Sequence, residues 1–91
     1  MREIRKSSQF KKDFKRIKNN IGLITALMRI IVLLEQEETI PAEYNPHMLK
    51  GKFKGIMECH IGPDFLLMWI DEKSNTVRLL RLGFHAELFG M

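Results

Sequence analysis

Three histidines, one aspartate and one arginine are the residues of this 91-residue sequence best suited to chemistry. His47 lies in a predicted loop, His60 near the end of a predicted strand, and His85 just after the last predicted strand. Asp64 follows a Gly-Pro turn, so antiparallel pairing would bring it close to His60, and Arg81 on the next strand can point to the same region. Imidazoles exchange protons near neutral pH, and a guanidinium stabilises extra charge on a phosphate. The set therefore predicts metal-free cleavage of an RNA phosphodiester.

Each of these residues also has a plainer interpretation. A histidine in a loop is most often a surface residue. Spacings of 13, 4 and 21 residues among the histidines and the aspartate match no zinc motif, so no metal site is predicted. Glu58 shares a strand face with His60 and can orient it or pair with a lysine. Cys59, on the opposite face, is predicted to be a core residue and not a nucleophile.

The net charge of +4 is unevenly distributed along the chain. Residues 1–19 contain eight basic residues against two acidic ones, and a second basic segment follows residue 49. Basic surfaces attract polyanions, although the same lysines would also suit a solvated helix face that only maintains solubility. The lysines predicted to contact RNA are Lys11, Lys12, Lys15, Lys50, Lys52 and Lys54.

The hydrophobic pattern predicts one α+β domain over residues 1–91, with two helices packed on a small, mainly antiparallel sheet. The predicted order is β-α-α-β-β-β, with strands at 2–6, 53–61, 65–70 and 77–82, helices from residue 8 to the asparagines at 19–20 and at 21–36, and turns at 62–64 and 73–75. A final helical turn is predicted at 85–89. Alternation along the last strand would place Val77, Leu79 and Arg81 on one face. The second helix is apolar over most of its circumference, so part of it is predicted to contact a partner chain.

The compartment is predicted to be the cytoplasm. No secretory signal precedes the first strand, and the longest apolar stretch, residues 21–34, is too short to span a bilayer. The single cysteine, Cys59, cannot form an intramolecular disulfide. Gly51 and Gly55 have neither a P-loop nor a Rossmann context, so no nucleotide cofactor is predicted.

Longer strings of residues resemble a known toxin family. They are Y-x-x-H-x-L-x-G-x-F-x-G at residues 44–55, ECHIGPD at 58–64 and RLGFHAELF at 81–89. Together they resemble the YafQ-type branch of the RelE/ParE toxin superfamily. The string S-x-F-x-K-D at residues 8–13 is similar to the same family, so the resemblance covers nearly the whole chain.

The resemblance implies a small endoribonuclease of a bacterial type II toxin-antitoxin module. Such toxins cut messenger RNA, typically on the ribosome, and an antitoxin encoded beside each one holds it inactive. The resemblance also implies a RelE-like fold and no cofactor. It implies catalytic roles for His47, His60, Asp64 and His85, with Arg81 on the scissile phosphate.

Two positions depart from the family pattern. Members often have arginine before the acidic residue of the His60 strand and threonine or serine before the final histidine, where this chain has Met57 and Phe84. These departures affect activity and substrate grip more than the type of reaction. Two other functions stay open: a ParE-like toxin that binds DNA gyrase without chemistry, and a simple basic RNA-binding domain. Three histidines near one cleft favour the nuclease. The sequence does not indicate the cleavage site, the need for a ribosome, or which histidine is the base.

Overall fold

A computed structural model of the chain describes residues 1–72 and 74–90. Its strands are β1 (Glu3–Lys6), β2 (His47–Met48), β3 (Met57–Gly62), β4 (Phe65–Glu72) and β5 (Thr76–Phe84). Its helices are α1 (Ser8–Ile17), α2 (Ile21–Glu35) and α3 (His85–Phe89), and single 3-10 turns lie at Ala42–Tyr44 and Gly51–Phe53. The predicted α+β class is confirmed. Lys73, in the second predicted turn, lies outside the described residues.

The five strands form one sheet in the order β1-β5-β4-β3-β2. β1 pairs with β5 in parallel, and the other neighbouring pairs are antiparallel. Placing His47 in a loop was wrong, because it lies in β2 opposite Glu58. The strand predicted from residue 53 begins only at Met57, because Gly51–Phe53 forms a 3-10 turn and Gly55 adopts a φ of 97°, which interrupts the extended backbone.

Helices α1 and α2 cover one face of this sheet. The Ser7 side chain caps α1 by accepting a hydrogen bond from the Phe10 N–H at 2.9 Å, and the Asn20 side chain caps α2 through the Leu23 N–H at 3.0 Å. Phe10, Leu27 and Ile30 from the helices and Cys59, Leu67 and Leu79 from the strands belong to one buried cluster. Met28 and Val32 on α2 remain 49% exposed each, as expected for a helix too apolar for one sheet to cover.

A bulge in β5 determines which side chains share the opposite face. Trp69 pairs with Leu79 but Met68 pairs with Arg81, so Leu80 has no cross-strand partner. The predicted grouping of Arg81 with Leu79 was wrong, because the extra residue shifts the alternation. In the resulting register Arg81 projects from the sheet face that carries Glu58 and His60.

None of the helices within residues 1–72 and 74–90 is long and apolar enough to cross a membrane.

Candidate active site

All three histidines line one open cleft of about 500 Å³. They come from β2, β3 and the start of α3, elements that are distant in sequence and adjacent at one end of the sheet. The other lining residues are Asn45, Leu49, Lys50, Phe53, Glu58 and Phe89. The remaining two predicted catalytic residues, Asp64 and Arg81, are not part of this lining.

His47 is held at both ring nitrogens. Its Nδ1 lies 2.7 Å from the carbonyl oxygen of Asn45, and its Nε2 lies 3.0 Å from Oε1 of Glu58. A carbonyl only accepts, so Nδ1 donates to it, and Nε2 forms an ion pair with the Glu58 carboxylate when the imidazole is protonated. Glu58 is 2% exposed, and its Oε2 has no hydrogen-bond partner within the described part of the chain. A buried carboxylate therefore fixes this imidazole at the edge of the cleft.

His85 is the first residue of α3 and is half-exposed. Its Nδ1 lies 3.5 Å from Oδ1 of Asp64, which leaves Nε2 available to a substrate. One turn further along α3, the Phe89 ring lies 5.0 Å from the His85 ring, and Phe53 meets Phe89 edge-on at 5.2 Å. A β-carbon on Gly83 would lie 3.1 Å from Leu88, which shows how closely α3 packs on the sheet.

Asp64 was expected beside His60, and the structure pairs it with His85 instead. Asp64 lies in the β3–β4 turn with φ of 54°, and its side chain is 61% exposed. The register of this hairpin shifts between His60 and Gly62, so His60 faces Leu66 and not the turn. The shift directs the carboxylate towards the end of β5, where His85 begins α3.

Arg81 was expected to point to the same region, but its guanidinium lies against Asp13 on α1. Arg81 Nε donates to Asp13 Oδ2 at 2.9 Å, and Nη2 lies 3.4 Å from Oδ1. Asp13 is 2% exposed. Burial raises the pKa of this carboxyl, but hydrogen bonds from Arg81, the Leu82 N–H and Gln9 more than offset that effect and leave the pKa below 3.8.

The candidate RNA-binding lysines fall on two surfaces. Lys50 lines the histidine cleft, and Lys52 lies 5.3 Å above the Phe53 ring beside it. Lys11 and Lys15 instead line a separate groove between β1, α1 and α2. The structure therefore puts Lys50 and Lys52 of the second basic segment at or beside the cleft, whereas these two lysines of the first segment lie elsewhere.

Sequence reasoning missed the roles of three residues. Glu58 was expected to orient His60 or to pair with a lysine, and it holds His47. Phe89 was predicted only as part of the final helical turn, although its spacing of four residues from His85 places both on one face of that turn. Asp13 was counted as an acid among basic residues and as the last residue of the string at 8–13, and its burial on an amphipathic helix has no clear signal in a single sequence.

A single cysteine and potential metal ligands are the other features of the chain that bear on chemistry. Cys59 is fully buried, and burial, with a smaller contribution from Glu58, raises the pKa of its thiol to about 12. It is a core residue, as predicted. Among the described residues, no three His, Cys, Asp or Glu side chains lie close enough together to hold a metal ion.

Comparison with known proteins places the chain among bacterial toxins. A family model described as the bacterial toxin of type II toxin-antitoxin system, YafQ, matches residues 2–90. The chain is 34% identical over 90 residues to the mRNA interferase toxin YafQ of Escherichia coli strain K12, covering 98% of this chain and 97% of that protein.

Solved structures agree with the sequence comparison. The metal-bound toxin from Helicobacter pylori is 41% identical, with a TM-score of 0.86 over 98% of this chain and 100% of that one. The YafQ chain of the Escherichia coli DinJ-YafQ complex is 33% identical, with a TM-score of 0.83 over 99% of this chain and 100% of that one. The arrangement of the sheet and helices is therefore shared with these toxins.

Proposed function

Because this chain belongs to the YafQ family of bacterial toxins of type II toxin-antitoxin systems, we propose that it is an endoribonuclease that cuts messenger RNA in the histidine cleft. The observation that carries the proposal is the convergence of His47, His60 and His85 on one open cleft beside Lys50. Acid-base cleavage of RNA needs two groups that can exchange protons and positive charge near the phosphate.

The reaction is an attack of the ribose 2′-hydroxyl on the adjacent phosphorus. One imidazole removes the 2′-hydroxyl proton while the P–O2′ bond forms, and a protonated imidazole gives its proton to the 5′-oxygen as the P–O5′ bond breaks. The products are a 2′,3′-cyclic phosphate and a 5′-hydroxyl. No step requires a metal ion.

The contacts of the three imidazoles differ, and this difference supports separate roles. His85 has one nitrogen on Asp64 and presents Nε2, so it transfers a proton directly. His47 has both nitrogens engaged, so it is less free than His85 to transfer a proton. His60 lies on the cleft face between β2 and β4 and is the second proton-transfer group. Lys50, which lines the cleft, stabilises the phosphorane charge. Arg81, which the resemblance assigns to the phosphate, can add to this only by leaving its ion pair with Asp13.

The partner of this toxin is proposed to be a cognate antitoxin that occupies the groove between β1, α1 and α2. The groove has a volume of about 480 Å³ and an apolar floor that includes Phe10, Leu27 and Met28. Lys6, Lys11 and Lys15 also line it, which suits an acidic amphipathic segment that folds as it binds. The relative in Escherichia coli has been crystallised with its partner DinJ.

A cleavage assay tests the proposed activity. Purified protein is incubated with single-stranded RNA, with and without EDTA, and with messenger RNA on ribosomes. We expect discrete cuts that survive EDTA and are faster on the ribosome. The proposed site of action is the cytoplasm, where ribosomes translate messenger RNA. The EDTA arm matters because the Helicobacter pylori relative was crystallised with a metal. Loss of all cleavage in EDTA, or no cleavage under any condition, contradicts the proposal.

A further inference from the structure

The histidine cleft has an aromatic wall beside its imidazoles. Two of the six phenylalanines in the chain, Phe53 and Phe89, line the cleft, and both are partly exposed. The centroid of the Phe89 ring lies 5.0 Å from that of His85 and 5.2 Å from that of Phe53, which it meets edge-on. Phe53 therefore stands at the end of a row of three rings that begins at His85.

The backbone around Phe53 is fixed by local hydrogen bonds. Phe53 is the last residue of the 3-10 turn Gly51–Phe53, and the Lys54 N–H donates to the Gly51 carbonyl at 3.1 Å. The Ile56 N–H then donates to the Phe53 carbonyl at 3.1 Å. Because the turn is already formed before a ligand arrives, a contact with the ring costs little additional ordering.

Lys52 marks the solvent side of the Phe53 ring. Its ammonium nitrogen lies above the ring, 5.3 Å from the centroid, and Lys52 is exposed. An exposed cation–π contact is weaker than the stacking of a nucleobase on an aromatic ring. A base can therefore replace the ammonium on this face of the ring, and Lys52 is then free to reach a phosphate of the same strand.

We propose that the Phe53 ring is a stacking site for an unpaired RNA base beside the scissile phosphate; this inference rests on the proposed function. Proteins bind single-stranded RNA by stacking its bases on aromatic side chains next to basic residues that contact the backbone. The cleft offers Lys50 for the backbone and Phe53 for a base. Because one ring separates Phe53 from His85, the stacked base belongs to a nucleotide next to the bond that is cut.

The test compares Phe53→Leu with Phe53→Tyr in binding to a short single-stranded RNA made with 2′-O-methyl ribose, which lacks the attacking hydroxyl. Leucine keeps an apolar side chain without a ring, whereas tyrosine keeps the ring. We expect the Kd of Phe53→Leu to rise about 5- to 100-fold, as for the loss of one stacked base, and that of Phe53→Tyr to stay within about twofold. A wild-type Kd in Phe53→Leu overturns the inference.

Phe14→Leu is the matched control. Phe14 is also partly exposed and contacts another ring, with its centroid 6.5 Å from that of Phe10, but it lies on α1 and outside the lining of the cleft. We expect Phe14→Leu to bind the same RNA with the wild-type Kd. A rise equal to that of Phe53→Leu would show that the loss of any partly exposed phenylalanine weakens binding, and it would overturn the inference.

A second arm separates base stacking from structural support, because Phe53 also packs against Phe89. Bases are removed from the RNA one at a time, which leaves the phosphates unchanged. In the wild type we expect one abasic position to raise Kd by about the same factor as Phe53→Leu does. In Phe53→Leu that position should have no further effect. Losses that multiply at every position would mean that Phe53 only supports its neighbours, which overturns the inference.

Fluorescence of Phe53→Trp gives a readout that needs neither cleavage nor a folded Phe53→Leu variant. A base stacked on an indole quenches its emission, whereas Trp69 is 2% exposed and out of reach of RNA. We expect quenching by the 2′-O-methyl RNA and none by the same phosphate chain with all bases removed. Quenching by both, or by neither, overturns the inference.

The stacking site and the nuclease activity can fail separately. If the wild type cuts no RNA but base-containing RNA quenches Phe53→Trp, the proposed function is wrong and the stacking site stands. If the wild type cuts RNA while Phe53→Leu and Phe53→Trp show neither effect, the nuclease stands and the stacking site is wrong.

Discussion

Two carboxylates hold two of the cleft histidines, and they differ sharply in environment. Glu58 is 2% exposed and contacts His47, whereas Asp64 has a side chain that is 61% exposed and contacts His85. A buried partner restrains its imidazole strongly, while an exposed partner lets the ring move towards a substrate. This contrast is the physical basis for giving His85 the proton-transfer role.

His85→Ala should therefore separate activity from stability. We expect a rate loss of about 10²- to 10⁴-fold, as for removal of a general acid or base. The side chain is 44% exposed, so the free energy of unfolding should change by no more than about 0.5 kcal/mol. Single-turnover cleavage and thermal unfolding are measured on the same preparation. A rate equal to the wild type, or a rate loss that follows a fall in melting temperature, contradicts the assignment.

Asp13 gives the fold a specific dependence on acid. Its pKa in the folded state is lower than 3.8, so its contribution to stability is complete above about pH 4 and is lost as the pH falls through the folded-state value. We expect urea unfolding to show a smaller loss of stability between pH 5 and pH 2 in Asp13→Asn than in the wild type. Equal acid sensitivity of the two proteins would show that the ion pair with Arg81 contributes nothing.

For single residues, the sequence predicted which residue types form the site but not which side chains they contact. The chemistry of histidine and the resemblance together pointed to His47, His60 and His85, which line one cleft. Which acid meets which histidine depends on the shift between His60 and Gly62, which leaves no periodic signal. Their catalytic roles remain predictions.

Among the helices and strands, α3 is short, yet both its first residue, His85, and its last residue, Phe89, line the cleft. It has five residues, and Glu87 stabilises its start by accepting the Phe84 N–H at 3.0 Å while pairing with Arg16 on α1. The hydrogen bond from the Phe84 N–H, and to a smaller extent the one from Arg16, lower the pKa of the Glu87 carboxyl. A short helix of this kind depends on its cap and its tether.

Glu87→Ala should accordingly impair cleavage by loosening α3. We expect kcat to fall about tenfold, because His85 and Phe89 lose their fixed positions. The global stability should fall by about 0.5–1 kcal/mol, the usual cost of a lost helix cap. Rapid-quench cleavage and urea unfolding measure the two effects, with Glu43→Ala on an exposed glutamate as the control. Full activity of Glu87→Ala would show that α3 is held by Leu88 packing alone.

The sequence predicted helices and strands correctly where the hydrophobic pattern extends over many residues, and it failed where the pattern covers only a few. The apolar run of β4 and the apolar circumference of α2 were sufficient to predict both elements. β2 has two residues, too few for any period, and it forms because β3 offers a partner edge. The bulge at Leu80 likewise depends on tertiary pairing, which overrides strict alternation.

At the scale of the whole molecule, basic side chains lie on two separate surfaces. Lys50 and Lys52 lie at the cleft, while Lys11 and Lys15 line the groove proposed for the antitoxin. The family and the α+β fold predicted from the motifs are confirmed, because residues 2–90 match the YafQ model and relatives share the architecture. The net charge alone could not show that these lysines lie on two separate surfaces, because their positions depend on the fold.

Replacing Lys50, Lys52 and Lys54 together with glutamine tests the basic cleft. Each phosphate contact on a single strand contributes about 0.7 to the slope of log K against log salt. We expect the slope for a non-cleavable RNA to decrease by about 0.7 to 2 in the triple variant. The matched triple variant at Lys11, Lys12 and Lys15 should leave the slope unchanged. Equal slopes in the wild type and the cleft variant would assign the cleft lysines to solubility.

We propose that this protein cleaves RNA by attack of the 2′-hydroxyl, with His85 transferring a proton. The most direct measurement is single-turnover cleavage of an RNA with either ribose or 2′-deoxyribose at the scissile position, followed by analysis of the product ends. We predict that the ribose substrate yields a 2′,3′-cyclic phosphate and a 5′-hydroxyl, and that the deoxyribose substrate is not cut. Equal cleavage of both substrates, or products with a 5′-phosphate, would contradict the account.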